Sequence, residues 1–192
     1  ENYGAQGVYD LAKEQLIIPI EYNYIRVFNQ KHQLIRVEKE TENHRTLAGL
    51  FDAEGNEVLP ISYAHIEQMD DPYFVLKHNE KGYALFNAET NTQEPLPFTE
   101  MSKDDDHWLL TVQKNGKTYL YDYKKQKLLT EGYSFIKPLK NGNYLVAQQE
   151  ANRLNFGYAN AEGKLIVPVN YDSREDDYLQ KFENEHYLPL FK

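Results

Sequence analysis

Three short acidic clusters hold the residue types best able to do chemistry in this chain: Asp70-Asp71, Asp104-Asp105-Asp106 and Glu175-Asp176-Asp177. Grouped carboxylates can bind a divalent cation, carry out acid–base hydrolysis or dock a basic partner, and each use demands its own pattern. A calcium loop alternates its oxygen ligands and turns on a glycine at the sixth position, and Asp104-Asp105-Asp106-His107-Trp108-Leu109 does neither. Carboxylate-pair hydrolysis needs two acids at a fixed separation in a cleft, one with its pKa raised by an apolar wall, and no such pair stands out here. Gly-x-Ser-x-Gly, His-Glu-x-x-His and phosphate-cradling glycine loops are absent, and the four serines, Ser62, Ser102, Ser134 and Ser173, lie in dissimilar surroundings. The reading is therefore no catalytic residue, no metal and no cofactor. Docking is what remains.

The elements that must position these clusters are set by an internal repeat. One phrase recurs five times: Gly7-Val8-Tyr9-Asp10, Gly49-Leu50-Phe51-Asp52, Ala84-Leu85-Phe86-Asn87, Tyr119-Leu120-Tyr121-Asp122 and Gly157-Tyr158-Ala159-Asn160. After each comes a polar turn, an aliphatic run often containing Pro, and an aromatic with an apolar residue three positions on: Tyr22 with Ile25, Tyr63 with Ile66, Phe98 with Met101 and Tyr133 with Ile136. Tyr171 keeps the aromatic, but Arg174 takes the apolar slot. The aromatics are spaced by 41, 35, 35 and 38 residues. A closing segment ends each copy, at Gln33–Val37, Tyr73–Lys77, Trp108–Val112, Tyr144–Gln148 and Tyr187–Phe191. Repeats of this length without a helical stripe mean an array of β units, none of which can bury its apolar face alone.

Each copy reads as about three strands. Ala48–Asp52 is a short apolar strand, Ala53-Glu54-Gly55-Asn56 a turn, and Glu57–Leu59 pairs back; Gly55 and Gly163 supply the positive φ that a tight turn requires. Pro19, Pro60 and Pro168 lack an amide to donate and are expected to end the ladder. The recurring aromatics Tyr22, Tyr63, Phe98, Tyr133 and Tyr171 are expected to fill the space between stacked units.

Laid on the repeat, the acidic clusters all fall in the connection that follows the apolar residue. Copy four differs there, with Lys137, Lys140 and Asn141-Gly142-Asn143. Equivalent loops of a stacked array project from one edge, so the predicted partner-binding surface is an acidic rim of Asp70, Asp71, Asp104, Asp105, Asp106, Glu175, Asp176 and Asp177. The whole chain carries 21 Lys and Arg against 30 Asp and Glu, a formal charge of −9. That balance argues against nucleic acid and against an anionic membrane surface, and favours a basic protein. The residues that open closing segments, Tyr73, Trp108, Tyr144 and Tyr187, are the exposed-aromatic candidates for a glycan platform. His32, His107 and His186 precede closing segments of copies one, three and five; these copies are not adjacent, so solvent-facing positions are expected rather than a zinc site.

The phrase, the turn and the Pro-terminated run together resemble the WG-repeat family of bacterial proteins. Phe156-Gly157-Tyr158-Ala159-Asn160-Ala161-Glu162-Gly163-Lys164-Leu165-Ile166-Val167-Pro168-Val169-Asn170-Tyr171 follows the family pattern closely, and Ala48 to Tyr63 nearly as well. No copy has the namesake Trp, and copies three and four lack the Gly. The resemblance implies a non-enzymatic β repeat used for interaction.

The fold expected is all-β: one domain of five stacked antiparallel hairpin or three-stranded units, about 7–48, 49–83, 84–118, 119–156 and 157–192, forming an open twisted array, with a five-bladed propeller as the alternative. The function expected is a protein-binding module that neutralises or scaffolds a basic partner, in the manner of an immunity protein; cell-envelope carbohydrate or peptidoglycan binding is the alternative, and a hydrolase ranks last. With no cysteine there is no disulfide, which fits cytoplasm or periplasm. The chain begins at Glu1 without Met, and removal of a signal peptide and a cloning boundary both fit.

Overall fold

A computed structural model describes residues 4–79, 81–103, 109–139 and 141–172. The described residues form strands and turns and no helix. Copy one gives β1 (Gln6–Asp10), β2 (Gln15–Tyr22), β3 (Tyr24–Asn29) and β4 (Leu34–Glu40); copy two gives β5 (Thr46–Phe51), β6 (Glu57–Gln68) and β7 (Tyr73–His78). Copy three gives β8 (Gly82–Asn87), β9 (Thr92–Leu96), β10 (Glu100–Lys103) and β11 (Leu109–Lys114). Copy four gives β12 (Lys117–Asp122), β13 (Lys127–Leu128), β14 (Phe135–Pro138) and β15 (Tyr144–Glu150), and copy five gives β16 (Arg153–Ala159) and β17 (Leu165–Asp172). Two compact units divide the chain, Glu1–Pro97 and Phe98–Lys192. The fold class is all-β, built of repeated antiparallel units, and every described sheet is open rather than closed on itself.

The sheets do not coincide with the sequence copies. In the second unit the strand orders are β10-β11-β12-β13 and β14-β15-β16-β17, so each sheet joins the last two strands of one copy to the first two of the next. The first unit follows the same plan. Its seven-stranded sheet, β3 through β9, consists of two such groups that share β6, and β1-β2 is a sheet of two strands. A copy thus supplies about four strands rather than the three read from the sequence, because the segment after the recurring aromatic is a strand of its own.

The five phrases share one backbone shape. Each lies at the end of an opening strand, or just beyond it, and its Asp or Asn turns back to cap the following turn. Asp10 Oδ1 accepts from the amides of Ala12 (2.9 Å) and Lys13 (3.1 Å), and Asp52 Oδ1 from those of Glu54 (3.0 Å) and Asn56 (2.7 Å). Asn87, Asp122 and Asn160 make the same bonds to Glu89, Lys125 and Lys164. This is the local competition with the ladder that Asx side chains provide. The left-handed residue sits at Gly55 (φ 86°) and Gly163 (φ 79°) as expected; in copies one, three and four it moves one place on, to Glu14, Asn91 and Gln126.

Glycine in the phrase has a second cause, close approach. The β1–β2, β5–β6 and β16–β17 ladders slip register at Gly7, Gly49 and Gly157. A Cβ at those glycines would stand 2.7 Å from the carbonyl oxygen of Ile18, 2.8 Å from that of Leu59 and 2.6 Å from that of Val167. Each of those carbonyls precedes a proline, so Pro19, Pro60 and Pro168 sit inside long strands at a bulge and do not end them. A bulge tolerates a residue with no amide to give. Copy three has Ala84 in place of the glycine, and there β8 and β9 pair in unbroken register, with Ala84 opposite Pro95.

Packing follows the repeat. Tyr22, Tyr63, Phe98 and Tyr133 are all buried and Tyr171 is half-buried. One core gathers Leu50, Tyr63, Ile66, Phe74, Leu76 and Phe86; another gathers Ile18, Tyr22, Val37 and Phe51. In the second unit Leu120, Tyr133, Ile136, Tyr144, Val146 and Ala159 pack together. The turn of one copy rests on the aliphatic run of the copy before it: Gly55 lies against Ile17, and Gly163 against Leu129.

Candidate functional site

The loop after β3 and the loop after β6 are equivalent connections of copies one and two, and Asp71 joins them. In the first, Asn29 Oδ1 accepts from the His32 amide at 2.9 Å and the Gln33 amide reaches Gln30 O at 3.3 Å, which folds 30–33 back on itself. In the second, the Tyr73 amide bonds Asp70 O at 2.8 Å and the Met69 amide bonds Tyr73 O at 2.9 Å, with a cis bond between Asp71 and Pro72. Asp71 Oδ2 accepts from Lys31 Nζ, and Asp71 Oδ1 lies 2.7 Å from His32 Nε2. The Lys31 ammonium holds the Asp71 carboxyl below the usual range; burial opposes this and His32 adds to it. Asp71 in turn raises the Lys31 amine.

This pairing bears directly on the predicted rim. The connections of copies one and two meet at one edge, but there Asp71 is paired with Lys31 and His32 of the neighbouring loop. Asp70 is exposed. Asp104, Asp105, Asp106, Glu175, Asp176 and Asp177 lie outside the described residues, as do Lys140, His107 and His186. His32 is not a solvent-facing residue: its side chain is only 15% exposed because it leans onto Asp71. His44 and His65 stay on the surface, 2.7 Å from Glu40 and 3.7 Å from Glu67. Among the described residues no three His, Asp or Glu side chains gather to hold a metal.

The aromatic candidates separate in the same way. Tyr144 is 1% exposed, because β15 is a central strand between β14 and β16 and turns this ring into the core with Tyr133 and Val146. It offers no face to a glycan, which corrects its place among the exposed aromatics. Tyr73, opposite Asn87 at the start of β7, is half-buried. Trp108 and Tyr187 lie outside the described residues. Among the described residues, the rings that face solvent are ones not singled out as exposed candidates from the sequence: Tyr9 at 54%, Tyr24 at 45% and Phe135 at 42%.

The phrase acids are engaged by bonds within their own turns. Asp122 has no exposed side-chain surface, and its Oδ2 lies 3.0 Å from Lys125 Nζ. Asp52 accepts from both the amide and the side chain of Asn56. These carboxylates serve the turns. What the described residues offer a partner is an edge of connecting loops and, in copy one, an exposed apolar hairpin face.

No curated protein matches the chain. Among solved structures it is similar to the extracellular domain of a hybrid two component system from B. thetaiotaomicron, with 12% identity and a TM-score of 0.39 over 90% of this chain and 24% of that one. It is also similar to the computationally designed Ika8 protein, with 12% identity and a TM-score of 0.37 over 90% of this chain and 58% of that one. The chain therefore spans less than two thirds of either structure. Residues 7–40, which run from the first phrase through β4, match the family model described as WG containing repeat.

Proposed function

We propose that this β-repeat module is a non-enzymatic protein-binding module of a bacterium, and that it docks a basic protein along the edge formed by its equivalent connections. The observation that supports this is the meeting of the loops at 30–33 and 70–72 through Asp71, which brings the connections of copies one and two to one edge. Further acids fall in the corresponding connections of copies three and five, and the net charge of −9 favours a cationic partner. Neutralising a basic toxin, as an immunity protein does, is the finer form of this reading, and it rests on charge.

The test uses the wild-type chain and a variant with Asp104, Asp105 and Asp106 all changed to Asn, each immobilised and exposed to the basic product of a neighbouring reading frame. Retention at low salt, loss at high salt and weakening by about tenfold or more in the variant are expected, since rim charges act through a screened field. Binding indifferent to both salt and the three substitutions would refute the rim.

A further inference from the structure

Like charges directly opposite one another weaken a sheet, and the first unit contains such a pair. Arg26 on β3 is the cross-strand partner of Arg36 on β4. Both guanidinium carbons lie over one ring, that of Phe28, at 5.2 Å and 5.5 Å from its centroid. Arg36 is buried and committed: its Nε donates to Glu38 Oε1 and its Nη1 to Ile66 O, each at 2.8 Å. Arg26 is exposed, and among the described residues no carboxylate pairs with it.

The repeat does not ask for this arrangement. The positions of Arg26 and Arg36 are taken by Glu67 and Val75 in copy two, Ser102 and Thr111 in copy three, and Lys137 and Leu145 in copy four. The Arg36 slot is therefore uncharged in all three, and a buried guanidinium there costs desolvation that Val75 and Leu145 avoid. Nor does the exposure come from the place of copy one in the chain. In copy two, which has copies before and after it, His65 stands where Tyr24 does and Glu67 where Arg26 does, and their side chains are 58% and 45% exposed.

The charge count names the ligand. Two guanidiniums face one carboxylate, Glu38, and Arg36 already takes it. One positive charge is left over at Arg26. A monoanion restores the balance, and the planar fork of a guanidinium matches a carboxylate through two parallel bonds. Tyr24 precedes Arg26 by two residues on an unbroken stretch of β3, so it shares the same face, and its ring is 45% exposed. We propose that Arg26 binds the carboxylate of an aromatic acid, with Arg36 fixed beside it and the Tyr24 ring against the body of the ligand. Because this site takes an anion, it stands apart from the acidic edge and from any basic partner docked there.

Benzoate is the probe, and benzamide its uncharged analogue. In calorimetric titration of the full chain at matched ionic strength, benzoate should bind about tenfold or more tightly than benzamide. Arg26→Gln should lose that margin, and Arg26→Lys should keep only part of it, since an ammonium holds the charge without the fork. Tyr24→Ser should weaken benzoate more than acetate, and equal effects on the two overturn the role of the ring. Without ligand, the Arg26→Gln chain should fold ~1.5- to 5-fold more favourably than the wild type in urea, because the opposed like charge is gone. Benzoate that binds no better than benzamide overturns the proposal, as does benzoate binding unchanged by Arg26→Gln. An Arg26→Gln chain less stable than the wild type would make Arg26 a strut of the sheet and overturn it too.

Discussion

Replacing Gly49 by Ala isolates the close approach that makes glycine recur in the phrase. The new Cβ would lie 2.8 Å from Leu59 O, 2.9 Å from Ile61 Cγ1 and 3.0 Å from Ile61 N, at or inside the closest range that real Cβ atoms show. Two of these three neighbours are backbone atoms of the bulge at Pro60, so the methyl cannot be absorbed by turning a side chain. Either β5 and β6 separate by a few tenths of an ångström or the bulge re-forms, and overpacking of this kind costs ~1–3 kcal/mol. That corresponds to a loss of about 5- to 150-fold in the folding equilibrium. The assay is urea denaturation, read as a lower midpoint at unchanged slope. Gly157→Ala should behave alike in the second unit, where the nearest atom is Val167 O at 2.6 Å, while Gly4→Ala, with nothing within 4 Å, should be close to neutral. A Gly49→Ala chain as stable as the wild type would show that the glycine is not there for space.

Asp52 is predicted to contribute to acid sensitivity. Burial pushes its carboxyl up, but the bonds from Asn56, Glu54 and Gly55 outweigh this and hold it below the usual range, so its contribution is present above about pH 4 and is lost as pH falls through the depressed value. Asp52→Asn keeps the capping oxygen, as Asn87 and Asn160 do naturally, and should fold normally at pH 7 while flattening the fall in stability below pH 4; an unchanged acid limb refutes this. At the alkaline end, burial first and Glu131 second push the Tyr133 phenol up to about 12, and burial also raises Tyr22, Tyr63 and Tyr158. The folded state favours the neutral phenol, so stability should hold below about pH 10 and fall as pH rises towards 12. Phenolate absorbance should then show a late-titrating fraction that ionises together with loss of strand circular dichroism. Complete titration near pH 10 in an intact fold refutes it.

The parts of the fold that were legible are those written by spacing. Tyr22, Tyr63, Phe98 and Tyr133 fall where recurring apolar positions must face a neighbour, and all four are buried. The prolines were harder, because a missing amide says that pairing is interrupted but not that the same strand resumes beyond the gap; at Pro60 it resumes, and β6 runs on to Gln68. Strand number was undercounted for a related reason. Segments such as Lys127–Leu128 and Phe135–Pro138 are too short to carry an alternating pattern of their own. Tyr144 shows the limit for single residues, since an aromatic at the start of a central strand points inward or outward according to its register with two neighbours. The Asp71 pairing lay beyond reach altogether: its partners are 40 and 39 residues away, in a loop whose own composition gives no hint of the bond.

The offset between sheet and copy bears on how such a chain could change its length over time. Because β4 is zipped to β5 from Ile35–Phe51 to Glu40–Thr46, and β7 to β8 from Tyr73–Asn87 to His78–Gly82, neighbouring copies remain joined even if the connection between them is cut. Unequal crossing-over between equivalent points of two copies, 35 residues apart at Tyr63 and Phe98, would remove one complete group of four strands, from the second half of β6 through β9. Duplication would do the reverse. Gene rearrangement can therefore lengthen or shorten this architecture by whole periods without leaving a ragged ladder inside it.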